Sequence, residues 1–146
     1  KSDQEWKVKW FVGDLARLPL LDQSMDLLLD IFSPANYQEF KRVLAPDGLL
    51  VKVIPTAAHL QEIRQKVKDH LDQADYSNEQ IIQHFSDHFT IENTIHCQET
   101  FELTPALREA LLSMTPLLFH VDPAQIDWTD LTQVTISATI LIGRSI

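Results

Sequence analysis

Between residues 27 and 54 the chain reads strand, helix, strand, and this order restricts the fold more than any other stretch. Leu27 to Phe32 is apolar except for Asp30, the pattern of a strand buried on both faces of a parallel sheet. Asn36 can cap a helix that places Tyr37, Phe40, Val43 and Leu44 along one side. Pro46-Asp47-Gly48 has the composition of a tight turn, and Leu49 to Ile54 is again a strand. Two strands joined through a helix make a parallel crossover unit, so the chain belongs to the α/β class.

The flanking segments extend that order. Val8, Trp10 and Val12 alternate with Lys7, Lys9 and Phe11, which predicts an earlier strand ending at Gly13-Asp14-Leu15. Leu60, Ile63, Val67 and Leu71 mark the buried stripe of a helix, and residues 78 to 85 predict a shorter one. Thr90 to Leu103 alternates as a strand, with Ile91, Thr94 or Ile95, and Phe101 as its inward residues. Thr104-Pro105 starts a helix by a hydroxyl cap and a proline in the first turn. Leu107, Leu111 and Met114 would form its apolar face, and Pro116 its end. Val134, Ile136, Ala138, Ile140 and Ile142 alternate with Thr135, Ser137, Thr139 and Leu141 in the clearest strand of the chain. The expectation is five strands and about four helices in a single domain over residues 1–146, the last two strands pairing antiparallel.

Composition narrows the functional classes. With 146 residues, 45% hydrophobic and 23% charged, the chain can bury a core, and no apolar run is long enough for a membrane span. A single cysteine, Cys97, excludes an internal disulfide and a cysteine-based zinc site, fits a cytoplasmic location, and is expected in a buried strand position. Twelve basic against twenty-one acidic residues, a net charge of -9, argue against this piece being the main grip on a nucleic acid. Arg64, Lys66 and Lys68 are interleaved with acids and read as a solvated helix face. His84 and His88 are four residues apart but lack a third ligand at suitable spacing, so no metal site is expected.

Three places could carry chemistry. Asp14 just past a strand end can accept from an exocyclic amine, and the next backbone N–H can donate to a ring nitrogen, which together complement an adenine edge. The same Gly13-Asp14 pair is also an ordinary turn. Ile31-Phe32-Ser33-Pro34 follows a strand end, and His59 lies past another at a helix start, where it can serve as a base or a hydrogen-bond partner or simply pack the helix. Met114, Thr115 and Pro116 can line a pocket or end a helix.

Four segments in order resemble the large-subunit ribosomal RNA guanine-N1 methyltransferases, a group of class I S-adenosylmethionine-dependent methyltransferases that includes macrolide-resistance enzymes. They are Leu18-Pro19 with Asp22-Gln23-Ser24-Met25-Asp26, then Ile31-Phe32-Ser33-Pro34, then Pro55 with His59-Leu60 and Glu62, and finally Leu111-Leu112-Ser113-Met114-Thr115-Pro116. Strand order matches along the whole chain, and the motifs are densest over residues 7 to 60.

The resemblance implies a Rossmann-like fold, truncated before the Gly-rich cofactor loop, with an antiparallel carboxyl-terminal strand pair. It implies S-adenosylmethionine at Gly13, Asp14, Leu15, Ile31 and Phe32. The substrate would lie against Ser33, Pro34, His59, Met114, Thr115 and Pro116, with His59 the candidate catalytic residue. The Asn/Asp-Pro-Pro-aromatic motif of many amine-methylating members is replaced by Ile31-Phe32-Ser33-Pro34, which speaks against exocyclic-amine methylation. Neither the group's amino-terminal four-cysteine zinc module nor its Gly-rich loop occurs in this sequence. The expectation is therefore a carboxyl-terminal part, inactive alone, that meets ribosomal RNA through the full-length protein. A strand at residues 7–12 would lack its usual neighbours, which invites strand exchange in a homodimer. A small-molecule methyltransferase fragment and a non-catalytic binding module are the alternatives.

Overall fold

The computed structural model describes residues 8–68 and 76–146. Its elements run β1 (Met25–Ile31), α1 (Tyr37–Val43), β2 (Leu44–Pro55), α2 (Gln61–Val67), α3 (Glu79–Ser86), β3 (Phe89–Glu102), α4 (Pro105–Met114) and β4 (Gln133–Ser145). The sheet order is β1-β2-β4-β3. β1 and β2 pair parallel across the α1 crossover, and β4 runs antiparallel to both its neighbours. Both the crossover and the antiparallel finish agree with the sequence pattern.

The helix starts are also as expected. Asn36 accepts from the Glu39 N–H and Thr104 from the Leu107 N–H, each satisfying an orphan donor of a first turn. Pro46-Asp47-Gly48 falls inside β2 but outside its ladder. Met25 pairs with Leu44 and Leu27 with Leu49, so the turn residues bulge out between them.

The core has two clusters. Tyr37, Phe40, Leu50, Ile54, Phe85, Phe89 and Leu141 join α1 and α3 to the sheet. Leu60, Ile63, Val67, Leu118, Val121 and Leu131 join α2 to the segment after α4. Leu71, expected on the α2 stripe, lies outside the described residues.

Several expectations are corrected. Residues 8–12 form no strand, and Trp10 and Val12 are exposed, because among the described residues no neighbouring strand takes their backbone hydrogen bonds. β1 is not buried on both faces: Leu27, Leu29 and Ile31 are about half exposed, since β1 is the last strand on its side. β3 is the opposite edge, so Ile95, Phe101 and Cys97 are exposed rather than inward. On α4, Leu107 and Met114 face solvent, while Leu111 and Leu112 make the packing contacts.

Candidate functional site

The ladder between β2 and β4 ends at Pro55 opposite Ala138, because proline has no N–H to continue it. β4 runs on, and the segment after β2 takes over its backbone groups. Thr56 N–H donates to the Ser137 carbonyl and Leu60 N–H to the Thr135 carbonyl. In the other direction Ser137 N–H donates to His59 Nδ1 at 3.2 Å, and Thr135 N–H donates to the Glu62 carboxylate at 2.9 Å. The amino end of α2 thus stands in for a strand. This places His59 beyond the carboxyl ends of the parallel pair β1 and β2, where ligands of α/β sheets bind.

A cleft of about 840 Å³ opens there. Of the sequence-predicted residues, Phe32, Ser33, Pro34, His59, Thr115 and Pro116 all line it, although they come from three distant segments. The Phe32 and His59 rings face each other across the two strand ends with centroids 5.1 Å apart. Thr115 is buried, and its hydroxyl has no hydrogen-bond partner among the described residues. Two of the cleft's apolar residues hold left-handed backbones: Phe32 at φ 49° and Leu60 at φ 52°. Each such conformation costs about 1–3 kcal/mol for a residue with a side chain, and such strain gathers at functional sites.

Gly13, Asp14, Leu15, Ile31 and Met114 are not part of the cleft lining. Residues 13–15 belong to a loop stapled to α1. Arg42 donates to the carbonyls of Leu18 and Leu20 and to Asp22, while Glu39 accepts from Leu18 N–H and from the Arg42 guanidinium. These bonds, the Arg42 side chain first and the Leu18 amide second, hold the Glu39 carboxyl down at about 2. Asp14 Oδ1 accepts from Ala16 N–H at 2.8 Å; Oδ2 has no partner among the described residues. That free oxygen, on an exposed residue, suits an exocyclic amine, so the donor set fits the adenine edge of the expected cofactor.

Lys52 and Asp30 are functional candidates that motif reading missed. They lie directly opposite each other on β2 and β1, are 3% and 4% exposed, and pair at 2.6 Å. Lys52 also donates to the Ser33 carbonyl at 3.0 Å, and the Ser33 hydroxyl donates to Asp30. This buried pair pins the 31–34 turn against the sheet. A lone Lys in one apolar strand run and a lone Asp in the other were the available signal.

The remaining polar lining is Tyr37, Arg64, Gln80, His84 and His120, with no carboxylate among the described residues. Burial, aided by the Asp30 charge, pushes the Tyr37 phenol up to about 12, so it remains a donor. The rings of His84 and His88 pack against Tyr37 at 4.9 and 5.1 Å. Burial first, then the Arg64 charge, lowers the His59 pKa, which favours a neutral imidazole.

YxjB of Bacillus subtilis, named for 23S rRNA guanine-N1 methyl transfer, is 33% identical over 98% of this chain and 52% of its own length. The 23S rRNA (guanine(748)-N1)-methyltransferase of Streptomyces fradiae is 26% identical over 87% of this chain and 47% of its own. This chain is a homologue of the 23S rRNA guanine-N1 methyltransferases. It spans about half the length of the curated relatives it matches. No family model matches.

Solved structures show the fold of this methyltransferase homologue. The MccD protein superposes with a TM-score of 0.54 at 16% identity over 94% of this chain and 68% of its own. A Bacillus halodurans protein described as a methyltransferase gives 0.51 at 14% identity over 90% of this chain and 69% of its own. The fold is the Rossmann-like class I methyltransferase fold. No described helix is long and apolar enough to cross a membrane.

Proposed function

We propose that this chain is the substrate-side part of an S-adenosylmethionine-dependent methyltransferase that modifies N1 of a guanine in 23S ribosomal RNA. The observation that carries this reading is the convergence of Phe32, Ser33, Pro34, His59, Thr115 and Pro116 on one cleft past the ends of β1 and β2. Those residues belong to the segments that resemble the guanine-N1 enzymes, and the homologous proteins carry that activity in their names.

In this reading Gly13, Asp14 and Leu15 meet the adenine edge of the cofactor, and Ile31 and Phe32 lie beside its reacting end. Ser33, Pro34, His59, Thr115 and Pro116 wall the base, while Met114, expected beside them, stands outside the cleft. S-adenosylmethionine, when bound, supplies an electrophilic methyl group on a sulfonium sulfur. The chain's own contribution is mainly placement. Asp30 and Lys52 fix the 31–34 turn, Phe32 offers a ring surface to a flat base, and the apolar walls exclude water. N1 of guanine is inside the base pair in a duplex, so the base must enter the cleft unpaired.

With a charge of -9, the grip on the RNA backbone would come from protein beyond this chain, as would the Gly-rich cofactor loop. The exposed edge of β1 is where such protein, or a second copy of this chain, would complete the sheet. Activity on ribosomal RNA would place the protein in the cytoplasm, and a macrolide-resistance phenotype is the matching cellular readout.

The test is nucleoside mass analysis of 23S rRNA incubated with S-adenosylmethionine and the natural protein that carries this chain. N1-methylguanosine is the expected product. A methyl group on another nucleoside, or transfer only to small molecules, would overturn the reading. The 146-residue chain alone should transfer nothing.

A further inference from the structure

The cleft-facing chemistry of His59 follows from its backbone partner. A neutral imidazole carries one N–H and one bare nitrogen, and the partner of one nitrogen decides the state of the other. Ser137 N–H is a donor that cannot reverse its role, and it points at Nδ1 from 3.2 Å. Nδ1 must therefore be the bare nitrogen, and the proton sits on Nε2. The Phe32 ring packs against the imidazole with centroids 5.1 Å apart. Nε2, across the ring from Ser137, has no partner among the described residues, in a residue that lines the cleft.

We propose that His59 is a fixed hydrogen-bond donor, through Nε2–H, to a carbonyl oxygen of the bound base, and that this contact selects guanine over adenine. The proposal rests on the guanine-N1 reading above and refines it. Guanine presents the O6 acceptor beside N1, whereas adenine presents an amine at the corresponding place. A donor facing that amine would leave two N–H groups opposed and unpaired. When N1 of guanine gives up its proton, the negative charge spreads onto O6, so the same donor grips the reacting form more strongly. No carboxylate lines the cleft among the described residues to repel that charge, and the Arg64 guanidinium is part of the wall. His59, already protonated at Nε2, is thus assigned to holding the oxygen beside the reacting atom and not to taking the proton from N1.

Histidine-nitrogen NMR of the natural protein that carries this chain tests the assignment directly. The expected spectrum shows His59 neutral with Nε2 protonated and Nδ1 bare, and added guanosine shifts the Nε2 signal while adenosine does not. A proton on Nδ1, or no response of Nε2 to guanosine, would overturn the proposal. Two substitutions separate this role from a packing role. His59→Asn keeps an acceptor near Ser137 but removes the distal donor, and His59→Gln can place an amide N–H where Nε2 was. His59→Gln should retain the guanosine preference, and His59→Asn should lose about tenfold of it. Equal behaviour of the two variants would overturn the donor role. Failure of the parent reading would appear elsewhere, as absence of N1-methylguanosine from the 23S rRNA assay whatever the histidine spectra show.

Discussion

β1 and β4 carry similar runs of apolar residues, yet they experience opposite environments. β4 has a strand on each side, its Leu141 is 1% exposed, and even its Thr135, Ser137 and Thr139 are buried and bonded. β1 has one neighbour, and Leu27, Leu29 and Ile31 stand about half in solvent. Asp30, on the other face of β1, is nevertheless buried because Lys52 answers it across the seam. Burial here is decided by the number of neighbouring elements, and pattern alone does not report that number.

The largest way to break this comparison is at the seam between β1 and β2. Lys52→Met strands the buried Asp30 charge and should cost about 3–5 kcal/mol in chemical denaturation, with Asp30→Leu in the same chain restoring most of it. An undiminished stability in the single variant would mean the pair does not hold the turn. Next, Leu141→Ala on β4 should cost about 2–5 kcal/mol by opening a cavity. Leu29→Ala, the same kind of deletion on β1, should change stability by no more than about 0.5 kcal/mol. Comparable losses at both positions would show that β1 is covered in solution.

The smallest effect concerns His59. Its folded pKa lies below the ordinary 6.5, so the folded state prefers the neutral ring. That contribution is fully present above pH 6.5 and is lost as pH falls through the lower folded value. Stability should therefore decline on mild acidification, and His59→Gln should flatten that part of the curve. A decline of the same size in the variant would move the cause to other groups.

What the sequence made legible was local or repeated. Asn36 and Thr104 announced helix starts, Leu60, Ile63 and Val67 announced the α2 face, and alternation announced β4. Six cleft residues were found because they sat in recognisable segments just past element ends. The failures were non-local. Trp10 and Val12 have strand periodicity but no partner strand among the described residues, and Ile95 and Phe101 have alternation on an edge. The Lys52–Asp30 pair and the Ser137 bond to His59 span 22 and 78 residues of sequence, distances over which spacing rules say nothing.

The position of β4 also governs the order in which the molecule can be built during synthesis. It is the last of the four strands to leave the ribosome, but it sits between β2 and β3. β1 and β2 can pair as soon as both are made, whereas β3 has no neighbour until residues 133–145 arrive. Through that interval the nascent chain exposes one bare margin of β2 and the whole of β3, and chaperone demand should be concentrated there. A stop codon anywhere in β4 would do more harm than its length suggests, because it would withdraw the element that joins β3 to β2.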